Sequence, residues 1–222
     1  MEFLERIKLE LEDLQEELKG LPPLKSGCRV GDFGCGEGYS TLCLMLMLQA
    51  NESIGVDGFT GDFLSPSCQG VQKYFDDVKR SILNDIPQED SLQQDMWQLF
   101  SQSRFPTFQQ GDVLQGHNLP SDLEFAYCKK LLGNIYSGEY ENFPNGEKGL
   151  NQMLANIAAA LKQGGIFCAV EKATVNYTPF IEQAGLTFLR ICQIRRSEIG
   201  LEGRLTSSMR IEDCIVYLYQ KP

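Results

Sequence analysis

The chain has one histidine, His117, among 222 residues, and its eight cysteines (28, 35, 43, 68, 128, 168, 192 and 214) never fall as a C-x-x-C pair. Zinc sites are built from Cys and His at short spacings, so no metal is expected. Cys43, Cys168, Cys192 and Cys214 stand in apolar runs. That placement reads as buried free thiols in a reducing compartment, rather than disulfides. Cationic charge is also scarce: 20 Lys and Arg face 30 Asp and Glu, a net charge of −10. Phosphate backbones are bound by clustered Lys and Arg, so nucleic acid is disfavoured as a partner. The pairs Lys129–Lys130 and Arg195–Arg196 leave room for a local basic patch, but the long-range field opposes a polyanion. Long apolar runs are missing too. The longest, Leu42 to Leu48, is too short to span a bilayer. The N-terminus is rich in Glu and has no apolar signal core, so a cytoplasmic protein is expected.

What the chain does have is glycine in one telling place. The run Val30–Thr41 reads VGDFGCGEGYST. A strand-like segment enters it, Gly34, Gly36 and Gly38 alternate with other residues, and an apolar helical run leaves it. A strand that turns through alternating glycines into a helix lets a ligand lie against the main chain, with the unpaired N–H groups of the helix start on offer. A nucleotide-bearing cofactor is expected there.

The length suits one domain over residues 1–222, with 1–24 an amphipathic helix and linker and 25–222 the core. Leu4, Ile7, Leu11, Leu14, Leu18 and Leu21 recur at steps of three and four, which predicts a helix over 3–21. Its apolar stripe has three uses open to it: packing on its own domain, pairing with a second copy in a homodimer, or covering a substrate pocket. From Cys28 onward strand and helix alternate, which implies a parallel sheet with helices on both faces. Strands are expected near 28–33, 53–57, 107–110, 123–127 and 166–170, with an antiparallel pair near 186–195 and 212–220. Helices are expected near 39–49, in two pieces over 60–104, at 149–161 and at 178–184.

Two cofactor classes use such a turn with an acidic residue after the second strand. The dinucleotide fingerprint needs G-x-G-x-x-G or A. Here the third small position holds Tyr39, which obstructs the close helix–strand packing that fingerprint requires. The other class fits at four places in order: DFGCGEG at 32–38, GVDG at 55–58, GDV at 111–113, and GLNQMLANIAAALKQGGIF at 149–167. On these the chain resembles the class I S-adenosylmethionine-dependent methyltransferases over roughly residues 25–222. The resemblance implies a Rossmann-like α/β fold, a seven-stranded mostly parallel sheet with an antiparallel last strand, preceded here by an extra N-terminal helix. It implies S-adenosylmethionine as cofactor.

It also implies a set of cofactor-binding residues: Asp32, Phe33, Gly34, Cys35, Gly36, Gly38, Asp57, Gly58, Asp112, Val113 and Cys128. Asp32 would lie near the donor's amino group and sulfonium, Asp57 would accept from the ribose hydroxyls, and Asp112 from the adenine amino group. Phe33, Tyr39 and Phe59 are expected as apolar walls. The short acidic-or-Asn, Pro, Pro, aromatic motif of amino methylases is absent from AYCKKLLGN at 126–134. For a catalytic base the candidates are His117, Tyr127 and Glu171. The 57–112 segment, the loop 134–149 with Tyr136, Tyr140 and Phe143, and the loop 196–210 are candidate acceptor pocket walls. Their aromatics favour a small-molecule methyl acceptor. A protein or tRNA methyltransferase, and a non-catalytic cofactor-binding module of the same fold, are the alternatives.

Overall fold

A computed structural model describes residues 2–58, 68–84, 91–102, 104–138, 146–198 and 210–222. Strands β1 (Arg29–Phe33), β2 (Glu52–Asp57), β3 (Thr107–Gln110), β4 (Leu123–Lys129), β5 (Leu161–Lys172), β6 (Thr187–Glu198) and β7 (Arg210–Gln220) form one sheet. Its order is β3-β2-β1-β4-β5-β7-β6. The pairings from β3 through β5 are parallel, and β7 runs antiparallel to both β5 and β6. The central strands read as nearly continuous buried runs because helices cover both faces.

Alternation along the strands sorts the core into two. Val30, Phe125, Tyr127, Cys168, Val170, Val216 and Leu218 face one side, under α1 (Glu2–Glu17), α2 (Tyr39–Met47), α3 (Cys68–Asn84) and α4 (Ser91–Ser101). Phe33, Ala126, Cys128, Phe167, Ala169, Tyr217 and Tyr219 face the other, under α5 (Leu131–Ser137), α6 (Gly146–Ala160) and α7 (Thr178–Gln183). Among the described residues no helix is long and apolar enough to cross a membrane.

Three differences from the sequence reading have local causes. The first helix stops at Glu17, short of residue 21, and Gly20 takes a φ of +77° just beyond it. Ile7 and Leu14 on that helix are fully buried in the first core, so its stripe packs on its own domain. Second, part of the expected 134–149 loop is helix: α5 buries Leu131, Leu132 and Ile135, the i, i+1, i+4 pattern of a one-sided helix too short to show as a period. Third, β5 begins at Leu161, where the sequence suggested helix. Leu161 pairs with Leu123, and the register then shifts before Phe125 meets Ile166.

Candidate functional site

The strand order reverses between β1 and β4, with β2 and β3 on one side and β5 on the other. Such a switch point opens a crevice outside the carboxyl ends of the strands, where ligands of open α/β sheets bind. The glycine run lies there. Gly34 donates its N–H to the Val56 carbonyl at 2.7 Å, which carries the chain off β1 across the end of β2. Gly38 then closes the turn onto the Cys35 carbonyl at 2.9 Å.

The glycines differ in what they make room for. A Cβ on Gly38 would stand 2.4 Å from the Phe108 ring and 3.2 Å from Phe75, so Gly38 serves packing. A Cβ on Gly36 would meet nothing within 4 Å, and Gly36 holds a φ of +51°. Gly58, at the end of β2, is equally open. Between these two open backbone positions stands Asp57, whose Oδ2 accepts the Gly36 N–H at 2.8 Å. The loop and the strand-end carboxylate are thus one hydrogen-bonded unit.

Beyond β3, Asp112 builds its own turn: Oδ1 accepts from the N–H groups of Leu114 at 2.9 Å and Gln115 at 3.0 Å. Its backbone bridges His117 in both directions. The His117 side chain is exposed on that turn. Val113 is half-buried, and its carbonyl accepts from Asn156 Nδ2 at 2.8 Å.

Several of the expected site residues are committed to the fold. Asp32 is 1 % exposed, and its Oδ2 accepts from Ser40 Oγ at 2.6 Å and Thr41 Oγ1 at 2.7 Å. It ties β1 to the first turn of α2. Burial pushes its carboxyl up to about 6, against the pull of the two hydroxyls. Phe33 is fully buried in the second core, so it packs the sheet and is not a wall of the crevice. Cys35 is also buried, with its sulfur 2.8 Å from where a Gly55 Cβ would be. Cys128 is fully buried beside Phe33 on the same face, and burial pushes its thiol well up, as for an inert core cysteine. Phe59, Tyr140 and Phe143 lie outside the described residues, as does most of the 196–210 loop. Tyr136 packs on Tyr177 and Phe180, holding α5 to α7.

The base candidates fare alike. Tyr127 is fully buried and gives its hydroxyl proton to Glu17 Oε2 at 2.5 Å, with its pKa raised by burial and then by Glu17. Glu171, at the end of β5, is 1 % exposed and caps α5: its oxygens accept from the N–H groups of Leu132 at 2.7 Å and Gly133 at 3.1 Å. Burial pushes its carboxyl up to about 7, with the backbone donors pulling the other way.

Sequence reasoning offered the first helix as a pocket cover but missed the residues by which α1 reaches the glycine loop and the end of β4. Arg6 pairs with Glu37 of the glycine loop at 2.5 Å and lies over the Tyr39 ring, 4.1 Å from its centroid. Phe3 adds ring contacts to Tyr39 and Tyr74. Glu10 pairs with Lys129, the last residue of β4, at 2.5 Å. Helical spacing was the one signal available: Phe3, Arg6 and Glu10 follow one another at i, i+3 and i+7 on one face. The partners of that face are remote in sequence.

No protein-family model and no curated protein sequence matches the chain. Solved structures do match it. A candidate methyltransferase of Bacillus halodurans C-125 superposes with a TM-score of 0.59 at 12 % identity, over 95 % of this chain and 99 % of that one. A SAM-dependent methyltransferase of Methanosarcina mazei gives 0.56 at 10 % identity, over 90 % and 94 %. Magnesium protoporphyrin IX methyltransferase of Synechocystis PCC 6803, solved with bound SAM, gives 0.53 at 13 % identity, over 98 % and 79 %. The sheet order, the antiparallel β7 and these likenesses together identify the fold as the Rossmann-like fold of the class I methyltransferases.

Proposed function

We propose that the chain is an S-adenosylmethionine-dependent methyltransferase acting on a small-molecule acceptor. The observation that carries this reading is the joined unit of Gly36, Asp57 and Gly58: two open backbone positions flanking a carboxylate that already accepts one loop N–H at 2.8 Å. That cradle fits a nucleoside lying along the end of β2. Asp57 would take the ribose hydroxyls, since an ionised carboxylate has acceptor capacity on both oxygens. Asp112 and Val113 would border the adenine, and the backbone of Gly34 and Gly36 the methionine end. When bound, the cofactor supplies an electrophilic methyl group on a sulfonium. The chain's own contribution is to hold two partners in line and close, which can supply much of the acceleration in such a transfer.

The small acceptor is favoured by charge and by company. A net charge of −10 opposes tRNA, and one fold neighbour is by name a methyltransferase of magnesium protoporphyrin IX. Calorimetric titration with S-adenosylmethionine, S-adenosylhomocysteine and NAD tests the cofactor. Micromolar binding of the first two with none of NAD is expected, and binding of NAD alone overturns the reading. Turnover of labelled methyl groups against a panel of small acceptors, basic proteins and tRNA then tests the acceptor class. Tight donor binding with no turnover on any of them would make the chain a binding module.

A further inference from the structure

The ion pair between Glu10 and Lys129 stands where its charge bears on the crevice. Phe33 of β1 is level with Cys128 of β4, so Lys129 is level with Gly34, the first residue of the glycine loop. The side chains of Glu10 and Lys129 keep 19 % and 18 % of their surface exposed, so this pair at the end of β4 is mostly shielded from water. Glu17 reaches the same ammonium at 3.9 Å and is itself fully buried, where it also accepts from Tyr127. Asp32 is on the same face of the sheet, level with Tyr127 on the neighbouring strand, and its ionisation is opposed by burial and by Glu10 and favoured by Lys129. Among the described residues, then, two carboxylates, Glu10 and Glu17, lie within 4 Å of one ammonium, with Asp32 and Tyr127 beside them on the same face of the sheet.

Holding α1 in place does not require this arrangement. Ile7 and Leu14 already bury that helix in the first core. A buried ion pair is weak evidence for stability, because taking both charges out of water costs about as much as their attraction returns. Its electrostatic consequence is more distinctive: the cluster has a surplus of negative charge in a place of low dielectric, at the end of β4. There it favours a positive group entering the crevice and loses that advantage when the charge is gone.

We propose that Glu10, carried by α1 and seated on Lys129, makes this end of the crevice selective for a cationic donor over its neutral product. This rests on the donor reading above. S-adenosylmethionine carries a sulfonium; S-adenosylhomocysteine carries a neutral thioether in its place and is otherwise the same. Transfer breaks the methyl–sulfur bond with its pair left on sulfur and forms the bond from the acceptor's lone pair to the methyl carbon. The positive charge passes to the acceptor, which keeps it or releases a proton. The sulfur is then neutral, so the same cluster that draws the donor in lets the spent donor go. The first helix is thereby part of the site and not only a cover for the core.

The test compares the two ligands on the full chain by calorimetry. Glu10→Gln keeps the shape and removes one charge. It is expected to weaken S-adenosylmethionine about tenfold while changing S-adenosylhomocysteine less than about twofold, the size of effect one nearby charge has at intermediate dielectric. Lys129→Met removes the cation and should move the donor-to-product ratio the other way by at least about threefold. It also keeps the test open if Glu10→Gln does not fold. A role for the pair in structure alone would weaken both ligands together, and a ratio unchanged in the folded variants overturns the proposal. Wild-type protein that binds neither ligand overturns the donor reading, and this proposal with it.

Discussion

The two sides of the switch-point crevice are built on opposite plans. On the β1–β2–β3 side, turns carry the polar groups: Gly36 and Gly58 leave open space, Asp57 holds the loop by one N–H, and Asp112 holds its own turn. On the β4–β5 side the residues nearest the strand ends are used up by the fold. Tyr127 serves Glu17, Cys128 packs in the core, and Glu171 caps α5. The first side is a preformed cradle. The second is scaffold, and what it adds to the crevice comes from a distant helix through Glu10 and Lys129. A common cofactor can be held by a local, standing arrangement.

The contrast breaks most visibly if the cradle is filled. Gly36→Val places a β-branched side chain at a φ of +51° and into the open space above the loop. Strain of this kind costs on the order of 1–3 kcal/mol. Donor affinity should fall by at least about a hundredfold, while a cooperative thermal transition survives at a lower midpoint. Undiminished binding in a calorimeter would move the cofactor away from this loop. Asp57→Ala comes next. Even one lost hydrogen bond to a charged group, at roughly 1.5–3 kcal/mol, implies a loss of at least about tenfold in donor affinity. The loop also loses the acceptor of its Gly36 N–H. Unchanged affinity would mean that the second motif has another job.

The carboxylates buried in the fold, one on each side, should answer to pH through stability. Glu171 is raised to about 7 and Asp32 to about 6, both by burial, from ordinary carboxylate values of 4.5 and 3.8. Each therefore holds its proton more firmly folded than unfolded. Their contribution is fully present below about pH 4 and is lost as pH rises toward 7, at up to about 1.4 kcal/mol per unit for each group where its two states differ. Glu171→Gln does not titrate. Between pH 4.5 and 7, wild type should lose stability relative to that variant in denaturant unfolding, with the difference flat above pH 7.5. A difference that is flat throughout would show that Glu171 ionises folded as readily as it does unfolded.

How much of this was legible in the sequence follows from how local each feature is. The glycine run, Asp57 and Asp112 are carried by stretches of a few residues at strand ends, and their order along the chain mirrors the strand order from which the sheet is built. The alternation of strand and helix likewise gave the parallel core, with β7 reversed between β5 and β6. Phe33 and Cys128 were misplaced because a strand end has two faces, and motif position does not say which one is turned to the core. Asp32 looked like a ligand group because the two hydroxyls that engage it, Ser40 and Thr41, read as ordinary first-turn residues of a helix. Glu10 and Lys129 are 119 residues apart, and no local pattern could have joined them.

The smallest expected effects fall on the two residues whose chemistry looks most suggestive in the sequence. His117 is the chain's one imidazole, and it follows a cofactor motif. Yet what anchors its turn is the paired backbone of residues 112 and 117, which any side chain supplies, and the ring itself is exposed. His117→Ala should leave donor affinity within about twofold, because an exposed side chain away from such features changes little. Cys128 stands near the crevice end of β4, but it is fully buried with its ionisation opposed. Cys128→Ala should lower stability by about 1 kcal/mol, the size of a small deletion in a packed core, and leave donor affinity unchanged. A thiol-reactive reagent should accordingly label it only as the protein unfolds. If Cys128→Ala instead lowers affinity as much as Asp57→Ala, the division of the crevice into a cradle and a scaffold is wrong. The β4 side would then hold the cofactor directly.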